Sequence, residues 1–278
     1  MSTVPVDRST AEAFACSWNR LPAGSVYRFD QFEEWLSPQT AATLSGKSVL
    51  ELGCGNGSLL VHMTRWNPSR LVGVDLGASV LSARDNMRLA GFADAEILQA
   101  DLQDFRSTGF DFVYCIGVLH HLKDPKAGFT SVIDNVKPGG SFHCWVYGNE
   151  GNALVRTLVE PLRRLCCRLP WWFTRYAVAF PLAVPFCAYS KLVGALPDSA
   201  CAWLPLYLYA RSLSTSDFAY FRHIAFDQLV APRTTYFRKE TVENWLEANP
   251  RVVADSVYVM MRNGNSWKFG GKVRGEDA

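Results

Sequence analysis

Three carboxylates and a cluster of glycines carry the chemistry most open to inspection in this chain. The run Glu51-Leu-Gly53-Cys-Gly55-Asn-Gly57 stands between an apolar stretch, Ser48-Val-Leu-Glu-Leu52, and a stretch from Ser58 to Trp66 with helical spacing. Glycines in such a turn adopt backbone conformations that other residues avoid, and they let a ligand approach the main chain. The helix start behind the turn presents N–H groups without intrahelical partners. Asp75 lies 24 positions after Glu51, at the end of the next apolar run, and Asp101 follows the one after that. An acid at the end of the second strand can accept both hydroxyls of a ribose, and Asp101 is placed to meet a base edge. A dinucleotide loop would read G-x-G-x-x-G. Here the sixth position is Ser58 and the third glycine is Gly57. Glu51, just ahead of the loop, would repel a pyrophosphate but suits an ammonium group. The expected ligand is cationic at one end, with a ribose and a base at the other. A purely structural glycine turn is the alternative.

Further residues invite a chemical role. His120 and His121 follow the fourth apolar run, and a histidine near neutrality can accept a proton from a reacting group; such a pair could equally pack or brace a loop. Tyr147 ends the fifth run and leads into Gly148-Asn-Glu-Gly-Asn152, which reads as a hinge beside a pocket or as an ordinary loop. Arg222-His223 and the stretch Phe226 to Arg233 ahead of Tyr236 set polar groups among aromatics, with a local Asp–Arg salt bridge as the alternative. His143, inside the fifth run, reads as structural.

These residues require an α/β scaffold. Strands are expected at 48–52, 70–75, 95–100, 110–116 and 141–147, and helices at 58–66, 78–90 and from Asp124-Pro125 to about Val136, where Asp124 is the N-cap and Pro125 the first helical residue. Strands alternating with helices imply a parallel sheet with right-handed crossovers. The pattern stops at 148. Residues 171–221 hold thirteen aromatics, and 151–191 hold six basic residues and one acid, Glu160. We read 148–237 as a mostly helical cap inserted after strand 5, and 1–45 as an N-terminal helical segment. The sheet pattern resumes with a helix at 239–248 and strands at 252–261 and 266–273, joined by Asn263-Gly-Asn265 as an antiparallel hairpin.

The order V-L-E-L-G-C-G-N-G-S, V-G-V-D, Q-A-D-L, F-D-F-V-Y-C-I-G-V-L-H-H-L and K-P-G-G resembles the class I S-adenosylmethionine-dependent methyltransferases over 46–147, and more loosely over 239–273. The resemblance implies a Rossmann-like, mostly parallel seven-stranded sheet in the order 3-2-1-4-5-7-6, with the seventh strand antiparallel. It implies S-adenosylmethionine as cofactor. Glu51 and the backbone at Gly53 and Gly55 would hold its methionine part, Asp75 with Leu76 its ribose, and Asp101 with the Leu102 backbone its adenine. Cys115, Ile116 and Val118 would form the floor. The core is then 46–147 with 238–278. The expected activity is methyl transfer to a small organic acceptor, with His120, His121 and Tyr147 as the candidate catalytic groups.

Composition narrows the rest. With 28 basic and 26 acidic residues the net charge is +2, which offers no overall basic excess for nucleic acid. Cys115-Ile-Gly-Val118 is likewise unlike an N/D-P-P-Y run. Eight cysteines show no CxxC spacing, so no metal site is expected. The polar start, Met1 to Thr10, carries no secretory signal, and a cytoplasmic protein with free thiols is expected. The apolar run Ala177 to Tyr189 is short, and Pro181 and Pro185 are expected to interrupt it, so no membrane span is expected there. The arginines of the cap leave peripheral contact with an anionic membrane open. A lipid or quinone methyltransferase at the membrane and a non-catalytic cofactor-binding scaffold remain as alternatives. Oligomeric state is open.

Overall fold

A computed structural model describes residues 6–19, 21, 23–107 and 109–275, with the side chains of 6–9 outside that description. The polar start at 1–5, Thr108 in the turn before the fourth strand, and the last residues of the tail expected to fray beyond Arg274 lie outside the described residues.

The sheet has seven strands: β1 (Ser48–Leu52), β2 (Arg70–Asp75), β3 (Glu96–Gln99), β4 (Phe110–Ile116), β5 (Val136–Tyr147), β6 (Tyr258–Arg262) and β7 (Ser266–Lys272). Their order is β3-β2-β1-β4-β5-β7-β6, with only β7 antiparallel to its neighbours. The expected fold class is therefore met. Alternation along the central strands feeds two cores. Leu50, Leu52, Val113 and Cys115 face one layer of helices, while Val49, Phe112, Tyr114 and Ile116 face the other. Burial on both faces explains why these strands read as nearly continuous apolar runs. Asp124 caps the helix Pro125–Asp134 by accepting from the Ala127 N–H at 3.0 Å.

Besides β5, which begins at Val136 rather than 141 and takes in Lys137 to Gly140, two expectations need correction. The sixth strand starts at Tyr258 rather than 252. Val252 makes a single bridge to Val273, and the chain then turns through Ala254–Ser256. The Ser256 hydroxyl bonds back to the Val253 carbonyl at 2.7 Å, a local bond that competes with the ladder. The second correction concerns proline. Pro181 and Pro185 do not interrupt the apolar segment: one continuous helix, Trp171–Ala195, passes through both and is long and apolar enough to cross a membrane. A π-helical turn, Thr174–Ala179, widens the backbone just ahead of Pro181, and a second, Val155–Val159, stands just ahead of Pro161. Widened turns accommodate the missing N–H and the ring that would otherwise break a helix.

The insertion is helical, as expected. Besides Trp171–Ala195 it contains Glu160–Cys166, Tyr207–Leu213 and Phe218–Val230. The run after Tyr147 is a pinned junction rather than a hinge. The Asn152 amide donates to the carbonyls of Gly148 and Asn265 at 2.7 and 2.6 Å. Gly151 packs so closely that a Cβ there would stand 1.8 Å from the Gly264 carbonyl oxygen. The N-terminal helix Val6–Trp18 and the helix Phe29–Leu36 complete the cover over the carboxyl ends of the strands.

Candidate active site

A cavity of about 820 Å³ lies over those strand ends. In open α/β sheets this edge is where ligands bind. Its floor is the turn between β1 and the helix Ser58–Met63. Gly53, Gly55 and Gly57 all have positive φ, at +83°, +53° and +78°. Gly53 is needed twice over, because a Cβ there would stand 2.2 Å from a Val118 methyl. The turn is tied to β2 by the N–H groups of Gly53 and Cys54, which donate to the Val74 carbonyl at 2.7 and 3.0 Å. Asn56 is buried beneath it and holds the Ser58 hydroxyl at 2.7 Å.

Glu51 and Asp75 face this one cleft. Glu51 is 2% exposed and accepts from the Tyr114 hydroxyl at 2.9 Å. Burial, reinforced by the negative charge of Asp75, pushes its carboxyl up to about 8 despite the Tyr114 bond. Asp75, half-buried, accepts from the N–H groups of Gly55 and Gly77 at 2.9 and 2.7 Å, and from the Ser79 hydroxyl at 3.3 Å. Burial raises its carboxyl too, against those three bonds. Asp75 therefore clamps the glycine turn as well as facing the cleft. No cation among the described residues offsets either carboxylate. Leu76, Asp101, Leu102, Ile116 and Val118 line the same cavity. Asp101 is oriented by the Gln103 N–H at 2.8 Å. Cys115, expected in the floor, is fully buried in the core below it.

The histidine pair is split. His120 does not reach the cavity. It is fully buried behind the wall, its ring 4.0 Å from that of Tyr147, and neither nitrogen has a partner among the described residues. Burial pushes it far down, so it is a neutral packing ring. His121 lines the cavity, with Nδ1 2.8 Å from the Arg233 carbonyl oxygen. A carbonyl only accepts, so Nδ1 carries the proton and Nε2 keeps its lone pair. Burial brings His121 down to about 4, so it is neutral at physiological pH. Tyr147 lines the cavity and accepts from the Gln228 amide at 2.7 Å, and burial keeps its phenol protonated. His143 is structural, as read: its nitrogens meet the Trp35 carbonyl at 2.8 Å and the Tyr258 hydroxyl at 2.7 Å.

Beyond the carboxylates the cavity becomes aromatic. Trp18, Tyr27, Trp145, Tyr209, Tyr220 and Tyr236 line it together with Tyr147. Arg163, in the sequence only one of six basic residues of the cap, is 1% exposed and reaches the same space. It donates to the Gln228 carbonyl at 2.6 Å, the Gln228 side chain at 2.9 Å, Tyr236 at 3.2 Å and Glu160 at 2.5 Å. Asp227 also lines the cavity. It pairs with His223 at 3.4 Å and accepts from Ser17 at 3.0 Å, so the expected Asp–Arg bridge is not made. Tyr27 and Arg163 carry no local motif; a faint signal for Arg163 was its spacing from Glu160, three residues earlier on a helix.

Residues 26–180 match the sequence model of a family described as "Methyltransferase domain". The chain is 37% identical over 110 residues to a ubiquinone biosynthesis O-methyltransferase of Ralstonia nicotianae, over 38% of this chain and 45% of that protein. It is 33% identical over 119 residues to a tRNA U34 carboxymethyltransferase of Helicobacter acinonychis, over 40% of this chain and 45% of that protein. The matched region thus spans less than half the length of either relative. Among solved structures, magnesium protoporphyrin IX methyltransferase from Synechocystis PCC 6803 with bound SAM aligns over 99% of both chains, with a TM-score of 0.54 and 12% identity. At that identity the likeness speaks for the fold. The family match takes in more than half of the chain, and with the sheet order and glycine turn in place, this chain belongs to the methyltransferase-domain family.

Proposed function

We propose that this chain transfers a methyl group from S-adenosylmethionine to a small organic acceptor with an apolar or aromatic body. The observation that carries the reading is the junction of two unlike halves in one cavity. Two carboxylates without a cationic partner stand over a glycine turn, and an aromatic space continues from them. The residues fit the cofactor. A buried carboxylate raised by desolvation gains most from an ammonium group, and Glu51 is such a carboxylate. Gly53 and Gly55 leave the main chain open to the amino-acid end, Asp75 and Leu76 would take the ribose, and Asp101 with the Leu102 backbone the base. Ile116 and Val118 would pack against the nucleoside.

When bound, S-adenosylmethionine supplies an electrophilic methyl group on a positively charged sulfur. The protein's part is alignment, exclusion of water and, for an acceptor that must lose a proton, a base. Nε2 of His121 is the atom suited to take that proton, since the Arg233 carbonyl fixes the tautomer. Tyr147 and Arg163, cross-linked through Gln228, would shape and orient the acceptor. His120 is not retained as a base, because it does not face the cavity.

The test is calorimetric titration with S-adenosylhomocysteine. Asp75→Ala is expected to weaken binding by about 1–3 kcal/mol through lost hydrogen bonds to a charged group. Unchanged affinity would remove Asp75 from the site, and absence of binding to the unaltered chain would overturn the cofactor assignment.

A further inference from the structure

The cap wears its helix inside out. Along Trp171–Ala195 the buried positions are Thr174, Ala179, Ala183, Ser190 and Val193, four of them small or polar. The outward positions include Trp172, Phe173, Tyr176, Phe180, Leu182 and Val184, between 39% and 58% exposed. A helix packed on a water-soluble domain normally does the reverse. Only 22% of its most apolar window is buried in the protein. The neighbouring turn and helix add Leu158 and Leu165, at 64% and 62% exposed. Large apolar side chains exposed in this number on one helix and its neighbour point to a contact site.

Two further observations indicate what covers it. The first is charge. Residues 151–197 hold a single acid, Glu160, which pairs with Arg163 and Arg164, while Arg156 and Arg168 of the same stretch are exposed. Aromatic and aliphatic side chains flanked by arginines form the pattern of a helix lying in the plane of an anionic bilayer. The second is the cavity. Leu154, Leu158 and Leu182 belong both to its lining and to the exposed apolar surface, so they rim its mouth. The helix is long enough to span a bilayer, but its buried stripe packs along the helices Tyr207–Leu213 and Phe218–Val230, which keeps it against the domain.

We propose that the outward face of Trp171–Ala195, with the Leu158 and Leu165 side of the preceding helix, docks in the surface of an anionic lipid bilayer, and that the mouth of the cavity opens toward the lipid. The acceptor is then an amphiphile dissolved in the membrane. That last step rests on the methyl-transfer reading; the docking surface does not.

The experiment is flotation of the full chain with phosphatidylcholine vesicles, either pure or containing about one third phosphatidylglycerol, the anionic lipid that surface arginines attract. The unaltered chain is expected to float with the anionic vesicles. Trp172→Glu with Val184→Glu, neither of which lines the cavity, is expected to lower the bound fraction about tenfold or more. Arg156→Glu with Arg168→Glu is expected to lower it on anionic vesicles only. Circular dichroism and a cooperative thermal melt report whether each variant is folded; if the first pair is not, Tyr176→Glu with Leu192→Glu replaces it. The proposal is overturned if the unaltered chain stays unbound, or if folded variants float as it does. It is also overturned if sedimentation shows a dimer that the apolar substitutions dissolve while no vesicle is bound, since a second copy would then cover the face. Flotation without any S-adenosylhomocysteine binding would keep the docking surface and remove the methyl-transfer reading.

Discussion

The two halves of the cavity are built in opposite ways. The carboxylate half comes from consecutive strand ends within 51–118, and its geometry is held by the main chain: positive-φ glycines, N–H groups on Asp75, and a sheet register that sets Glu51 beside Gly73 and Asp75 beside Gln99. The aromatic half draws on Tyr27 near the start and on Arg163, Tyr209 and Tyr236 in the cap, with Trp18 bridging to the other half, its ring 4.0 Å from where a Cβ of Gly55 would stand. It is held by side chains that meet across long separations in sequence. One half depends on backbone geometry, which few substitutions can imitate. The other depends on a network in which each member is replaceable at a cost.

The contrast can be broken experimentally. Arg163→Ala removes the hub of the aromatic half, leaves the Gln228 carbonyl and side-chain oxygen without their guanidinium donor, and leaves Glu160 with Arg164 alone. It is expected to lower stability by about 2–4 kcal/mol, read from the denaturant midpoint, while the folded fraction keeps its affinity for S-adenosylhomocysteine. A parallel loss of affinity would show that the halves are not independent. His121→Ala is expected to slow turnover about 10²-fold with cofactor affinity intact, and the rate of the unaltered chain to fall only as pH drops toward about 4, where His121 protonates. An unchanged rate would leave His121 a wall residue.

The third prediction concerns Glu51 in the cofactor-free protein. Its folded value near 8 lies above the ordinary carboxylate range, so the folded state holds the proton more tightly than the unfolded one. Stability from this group is full below the unfolded value of about 4.5 and is lost as pH rises through about 8, by at most about 1.4 kcal/mol per pH unit. Glu51→Gln is expected to flatten that slope in thermal melts between pH 5 and 8, while weakening S-adenosylhomocysteine binding. A slope unaffected by the substitution would mean that Glu51 stays charged without a cation.

Reading the chain by its residues reached the sheet and its carboxyl edge because both rest on local rules. A glycine triplet, an acid at a strand end and an N-cap followed by proline each leave a mark within a few positions. It failed on the histidine pair, since adjacent residues in a tight turn point different ways, and only packing decides that His121 faces the cavity while Tyr147 stacks on His120. It failed on Pro181 because the π-helical widening just before it carries no residue signature of its own. Asp227 found His223 rather than an arginine because they lie four apart on one helix face.

Sequence alone determined the fold class, the order of the glycine turn and the strand-end acids, and the apolar, basic character of the cap, since strand alternation and glycine geometry act over short spans. Tertiary structure alone decided that Arg163 is buried at the heart of the aromatic half, and that the large side chains of Trp171–Ala195 face outward. Those outcomes, the second for Trp172, Phe173, Tyr176, Phe180, Leu182 and Val184 while Phe186 packs inward, depend on which surfaces meet across the fold, and burial is a property of the assembled molecule rather than of any residue in it.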